Sequence, residues 1–132
     1  MPPALNYQKW KADKVESGEC RQTIRGMRKR PFRVGDRLYH YSGLRTKNCR
    51  KLGESFCAHV GRIRIEKRGI TLDGRRLWFP EEVALAQADG FATLYDMREW
   101  IQSTHRLPFD GQLVVWEVFE SVAEKRVKGG AG

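Results

Sequence analysis

The stretch SFCAHVGRIRIEKRG, residues 55–69, constrains the fold more than any other part of the chain. Apolar residues recur at every second position. Phe56, Ala58 and Val60 share one side, and beyond Gly61 it is Ile63 and Ile65 that oppose Arg62, Arg64 and Glu66. A period of two belongs to a β-strand with one buried face, because successive side chains point to opposite sides of the pleat. Such a strand exposes unpaired backbone groups along both edges, so the chain must supply neighbouring strands. Gly61 in the middle reads as a bulge or a barrel corner.

The neighbours are legible on both sides. RLYHYS, residues 37–42, alternates Leu38, His40 and Ser42 with Tyr39 and Tyr41, which predicts one core face and one wetter, aromatic face. ECRQTIR is strand-like around Thr23 and Ile24, and LDGRRLW carries an Asp-Gly hairpin signal. The N-terminal LNYQKWKADKVE, Leu5 to Glu16, reads as a short amphipathic helix with Tyr7 and Trp10 on one face, stopped at Ser17-Gly18. From Pro80 the period changes. PEEVALAQADG starts with proline and acids and ends in glycine, as helices do. TLYDMREWIQSTH places Leu94, Met97, Trp100 and Ile101 at helical spacing, and QLVVWEVFESV is a last apolar strand. Trp10, Trp100 and Trp116 fall in patterns that predict core positions. Short connections and turn glycines favour a small mixed or antiparallel barrel over a βαβ sheet. The expected organisation is one domain over residues 1–124 and a flexible tail over 125–132.

Charge is distributed unevenly along this chain. Residues 21–51 hold eleven of the 25 Lys and Arg but, in Asp36, one of the 16 Asp and Glu. The chain's net charge of +9 therefore resides in that segment, and the remainder is close to neutral. A concentrated cationic region attracts polyanions at a cost in self-repulsion, and nucleic acid is the commonest partner that makes it useful. Two polar loops carry most of it. LRTKNCRK sets Arg45, Lys47, Arg50 and Lys51, with Thr46 and Asn48, between two glycines. RGMRKRPFR contributes Arg25, Arg28, Lys29 and Arg30. Arginine forks grip phosphate oxygens bidentately and lysine adds a point charge. Tyr39, Tyr41 and Trp78 are candidate platforms for unpaired bases. An acidic protein partner is the weaker alternative for the same surface.

Other chemistries are bounded more tightly. Neither GxGxxG nor GxxxxGK[ST] occurs, which removes the two commonest nucleotide-binding loops. No apolar run is long enough to span a membrane, and the N-terminus lacks the apolar stretch of a secretory signal. Three cysteines without paired spacing fit reduced thiols and a cytoplasmic location. Cys49 and Cys57 with His40 or His59 lack zinc-knuckle spacing, so neither a metal nor a cofactor is expected. Cys20, beside Arg21 and Arg25, is a candidate thiolate nucleophile or a small buried thiol.

The segments SGECRQTIRG, VGDRLYHYSG, ADGF and LPFDGQLVVWEV resemble, in order and spacing, the ASCH domain family over about residues 5–120. The family's pattern of G-x-K-x-x-T-x-R, a V-G-D strand, and a helix ending near an acid and Gly-Phe is matched by Gly18, Thr23, Arg25, Gly35, Asp36, Gly90 and Phe91. The insert GLRTKNCRKLGE resembles the phage and prophage branch. The resemblance implies an α+β fold, a small PUA-like mixed or antiparallel β-barrel with flanking helices, that holds RNA rather than DNA in a cleft. It also implies an alternative, since some members are amidohydrolases on N4-acetylcytidine and others are assigned nuclease activity. Carried over, the amidohydrolase threonine falls on Thr23, its glutamate on or near Asp89, and its lysine on Cys20. A thiol neither activates the threonine nor holds an oxyanion as a lysine would, which leaves catalysis open. Oligomeric state is not legible.

Overall fold

The computed structural model describes residues 3–118, so the tail expected at 125–132 lies outside the described residues. Chain order is β1 (Ala4–Tyr7), α1 (Lys9–Ser17), β2 (Gln22–Gly26), β3 (Arg37–Ser42), β4 (Arg50–Glu66), β5 (Gly69–Leu72), β6 (Arg75–Arg76), α2 (Phe79–Ala88), α3 (Leu94–Thr104) and β7 (Phe109–Val118). Hydrogen bonding joins the strands in the order β1-β3-β4-β5-β6, with β2 on β7 and β7 also on β4. The fold is mixed α+β, as the periodicity predicts. Contacts gather into two compact units, and β4 runs through both.

The first unit comprises residues 3–21, 33–59 and 115–118. Here the expected helix over Leu5–Glu16 is corrected. Ala4–Tyr7 is a strand parallel to β3, with Ala4 opposite Tyr39 and Tyr7 opposite Ser42. Leu5 and Tyr7 are buried while Ala4 and Asn6 are exposed, a period of two that four residues cannot announce without the partner edge. The helix begins only after Gln8 and closes at Gly18, whose left-handed backbone (φ 81°) lets its N–H reach Val15 O. Trp10 is 41% exposed and not a core residue. Trp116 is buried as expected.

β3 presents the two faces its alternation predicts: Leu38 and His40 are buried, Tyr39 and Tyr41 half-buried. Its antiparallel ladder with β4 is irregular between His40 and Tyr41, opposite Gly53 and Lys51. That shift sets which side of β4 faces inward. Ser55 and Cys57 are buried, whereas Phe56 and Ala58 are exposed and Val60 is half-buried, so the apolar side expected before Gly61 points outward. β4 also starts earlier than expected, and Arg50 and Lys51 are strand residues rather than loop residues.

The second unit comprises Gln22–Phe32 and Val60–Val114. Ile63 pairs with Leu72 and Glu66 with Gly69 in the β4–β5 ladder. Asp73 (φ 51°) and Gly74 (φ 81°) are both left-handed, the backbone that a tight two-residue hairpin requires. Ile63, Ile65 and Ile70 are fully buried with Leu85, Ala86, Met97 and Ile101 of the two helices. Each large apolar side chain so enclosed contributes about 1.5–3 kcal/mol. Thr93 caps α3 by accepting the Asp96 N–H. Trp100, expected in the core, is half-buried in a row of rings from Phe91 through His105 to Phe109. At Gly111 the β7 backbone lies close against β2. A Cβ there would lie 2.1 Å from the Arg25 carbonyl oxygen, so only glycine fits.

Candidate nucleic-acid interface

In the second unit, β2 leads into a loop whose Arg28, Lys29 and Arg30 are all exposed and line an open depression of about 630 Å³. Among the described residues none of the three has a carboxylate within ion-pair distance. The Arg28 guanidinium lies 4.6 Å from the centre of the Phe32 ring. Phe32 itself is buried and anchors the loop. The Gln112 side chain of β7 accepts the Phe32 N–H at 2.8 Å and donates to the Phe32 carbonyl at 3.1 Å. One amide thus mimics a strand neighbour for a loop that has none. Gln112 was not singled out from the sequence, although an amide inside the apolar run GQLVVWEV is the signal that could have found it. Arg25 donates from Nε to Thr23 Oγ1 at 3.1 Å.

In the first unit the outward face of β3 and β4 is cationic and aromatic. Arg37 sits opposite Phe56, Tyr39 opposite Glu54 and Tyr41 opposite Lys51. The Arg37 guanidinium approaches the Phe56 ring at 5.8 Å and the Lys51 ammonium the Tyr39 ring at 5.3 Å. Phe56, exposed on this face, is a further stacking surface that the sequence pattern assigned to the wrong side. The hydrogen bond from Lys51 to Glu54, 2.6 Å, holds the Lys51 pKa above its usual value and the Glu54 pKa below its own.

The loop between β3 and β4 is built around Thr46. Its hydroxyl donates to Gly43 O at 2.6 Å and accepts the Asn48 N–H, and Asn6 accepts the Leu44 N–H. Thr46 therefore shapes the loop. A Cβ on Gly43 (φ 65°) would come within 3.0 Å of Asn48 O and Thr46 Oγ1. Arg45 and Lys47 project from it, exposed and without a carboxylate partner among the described residues. Arg50 differs. It pairs with Asp13 at 3.1 Å and Glu16 at 2.7 Å of α1, first the Asp13 hydrogen bond and then the Glu16 charge raising its pKa. Its charge is largely spoken for.

The residues carried over from the resemblance are placed as follows. Thr23 is 3% exposed with Arg25 as the hydrogen-bond partner of its hydroxyl. The α2 end docks near the β2 strand, but the Asp89 carboxylate meets Gln22 Nε2 at 3.3 Å, and Gln22 Nε2 also donates to Leu85 O. A nucleophilic hydroxyl needs a base within hydrogen-bond reach, and Arg25 is not one. Cys20, in the first unit, is a buried thiol whose backbone N–H donates to Lys14 O. Burial pushes the Cys57 thiol up, with the Asp36 charge adding to it. His40 is enclosed between two hydroxyls, Tyr7 at 2.8 Å from Nδ1 and Ser55 at 2.6 Å from Nε2, with the Trp116 ring 4.5 Å away. That cluster is a satisfied buried polar network.

No protein-family model matches the chain, and no curated protein matches it. Among solved structures it is similar to that of ASCH from Zymomonas mobilis, with a TM-score of 0.51 and 10% sequence identity. The match covers 86% of this chain, which spans 65% of that one. At that identity the likeness concerns the fold alone, a mixed α+β fold like that of the ASCH structure.

Proposed function

We propose that the chain is a nucleic-acid-binding module whose ligand is RNA. The observation that carries the reading is the set of exposed cations left without carboxylates among the described residues: Arg28, Lys29 and Arg30 on one loop, Arg45 and Lys47 on another. A surface serving solubility intersperses both signs, and neighbouring cations without acids cost self-repulsion that a polyanion relieves. The ASCH-type fold and the aromatic face of Tyr39, Tyr41 and Phe56 support the same reading. For the hydrolase alternative, the Thr23 hydroxyl and the Asp89 carboxylate are engaged with Arg25 and Gln22 rather than with each other.

Binding of labelled single-stranded RNA, duplex RNA and duplex DNA across a salt series tests it. Affinity is expected to fall steeply with salt and to favour an RNA form. The R28E/K29E/R30E and R45E/K47E variants are expected to bind more weakly with shallower salt slopes, by about 0.7 for each phosphate no longer neutralised on a single strand. T23A retains affinity. No binding to any of the three at low salt overturns the reading.

A further inference from the structure

A second face of the second unit carries the same chemistry in a different arrangement. On β4, Arg62 and Arg64 alternate with Ile63 and Ile65, which are fully buried, so the arginines stand on the outer side of the sheet. Thr71 of β5 lies opposite Arg64 on one side and opposite Arg76 on the other, a row across three strands. Leu77 is buried, and the chain continues extended through Trp78 (φ −77°, ψ 156°), so Trp78 returns to the face of Arg76. Its indole is 73% exposed.

The backbone that carries this side chain is held in place. Glu81 accepts the Trp78 backbone N–H at 2.9 Å, and Arg75 grips the same carboxylate with two hydrogen bonds, at 3.0 and 2.6 Å. Arg76 is held too. Its Nη2 donates to Arg68 O at 2.6 Å, and its guanidinium lies against Gly69, where a Cβ would sit 2.7 Å from that nitrogen. Among the described residues no carboxylate is within ion-pair distance of the Arg62 or Arg76 guanidinium, while Asp73 Oδ1 accepts the Arg62 backbone N–H at 2.8 Å.

From this we infer that the outer face of β4, β5 and β6 is a platform for a single-stranded nucleic acid, with an unpaired base stacked on Trp78 and its phosphates met by Arg76 and Arg62. A protruding indole on an anchored backbone offers a flat apolar face, and every base has a π-face for it. A base paired within a duplex cannot reach it, so the surface selects single strands. Planar guanidinium groups with unused N–H donors match phosphate oxygens. The inference rests on the reading of the ligand as nucleic acid and adds a contact surface distinct from the two loops.

The test titrates the full chain with a labelled 12-nucleotide single strand and with the same strand annealed to its complement. W78A is expected to bind the single strand roughly tenfold to a hundredfold more weakly, with the salt slope and duplex affinity unchanged. W78Y, which keeps a ring, is expected to restore most of the loss and guards against misfolding. R76Q is expected to lower both affinity and salt slope. If W78A binds like wild type while R28E/K29E/R30E does not, the platform is overturned and the loop reading stands. If wild type binds neither nucleic acid, both fail. Equal loss on single strand and duplex overturns the selectivity, and tighter binding of a polyglutamate peptide than of the single strand reassigns the face to an acidic protein.

Discussion

Replacing Gln112 with leucine removes the single side chain that pairs both backbone groups of Phe32. Phe32 and Gln112 are 3% and 7% exposed, so water cannot take over either bond without opening the loop. An orphaned buried N–H or C=O costs about 1–3 kcal/mol, which gives about 2–6 kcal/mol for the pair, less about 1 kcal/mol returned by the apolar side chain. A net loss near 2–3 kcal/mol is expected as a lower midpoint in urea unfolding followed by tryptophan fluorescence. The Phe32 amide is expected to exchange with deuterium far faster in Q112L than in wild type, because the chain from Arg28 to Phe32 loses its tether. RNA affinity is expected to fall with it, since loosened cations must be reordered on binding. A Q112L variant within 0.5 kcal/mol of wild type, with the Phe32 amide still protected, refutes the clamp.

Ser55→Ala removes the hydroxyl facing His40 Nε2 and is expected to cost about 1–3 kcal/mol in the same unfolding assay. Glu82→Ala removes the buried carboxylate that accepts the Ile70 N–H and pairs with Arg98, and is expected to lower stability by about 2 kcal/mol on thermal unfolding. The Glu81 pKa is lowered to about 2, first by its hydrogen bond to Arg75 and then by that from Trp78. A depressed carboxylate pKa means stability fully present above the ordinary value near 4.5 and lost as pH falls toward 2. Trp78 fluorescence, read as wild type minus W78F, is expected to change over that window and to be flat in E81Q.

Local signals proved reliable where neighbours a few residues apart decide the conformation. Asp73-Gly74 needs a left-handed pair, and Gly18 ends a helix; each is a short-range matter of sterics and hydrogen bonds. The faces of β3 were legible because Leu38 and His40 alternate with Tyr39 and Tyr41. The faces of β4 were not. Phe56, Ala58 and Val60 form the more apolar row, yet the irregularity opposite Gly53 turns Ser55 and Cys57 inward, and a one-residue shift reverses a whole strand. Leu5–Tyr7 reads equally well as helix until the β3 edge is available to pair with it.

The candidate site divides in the same way. By itself the sequence determined that eleven cations stand together between residues 21 and 51, because formal charge needs no fold. It also determined that strands and helices alternate as an α+β domain, because periodicity is local. Only the tertiary structure decided which cations remain available. Arg50 is paired by α1, Lys51 by Glu54, and, among the described residues, no carboxylate pairs with Arg28, Lys29 or Arg30 on a loop fastened by Gln112. The row of Arg64, Thr71 and Arg76 beside Trp78 likewise exists only through strand register. Pairing partners are distant in sequence, and their meeting depends on backbone ladders whose register no single segment specifies.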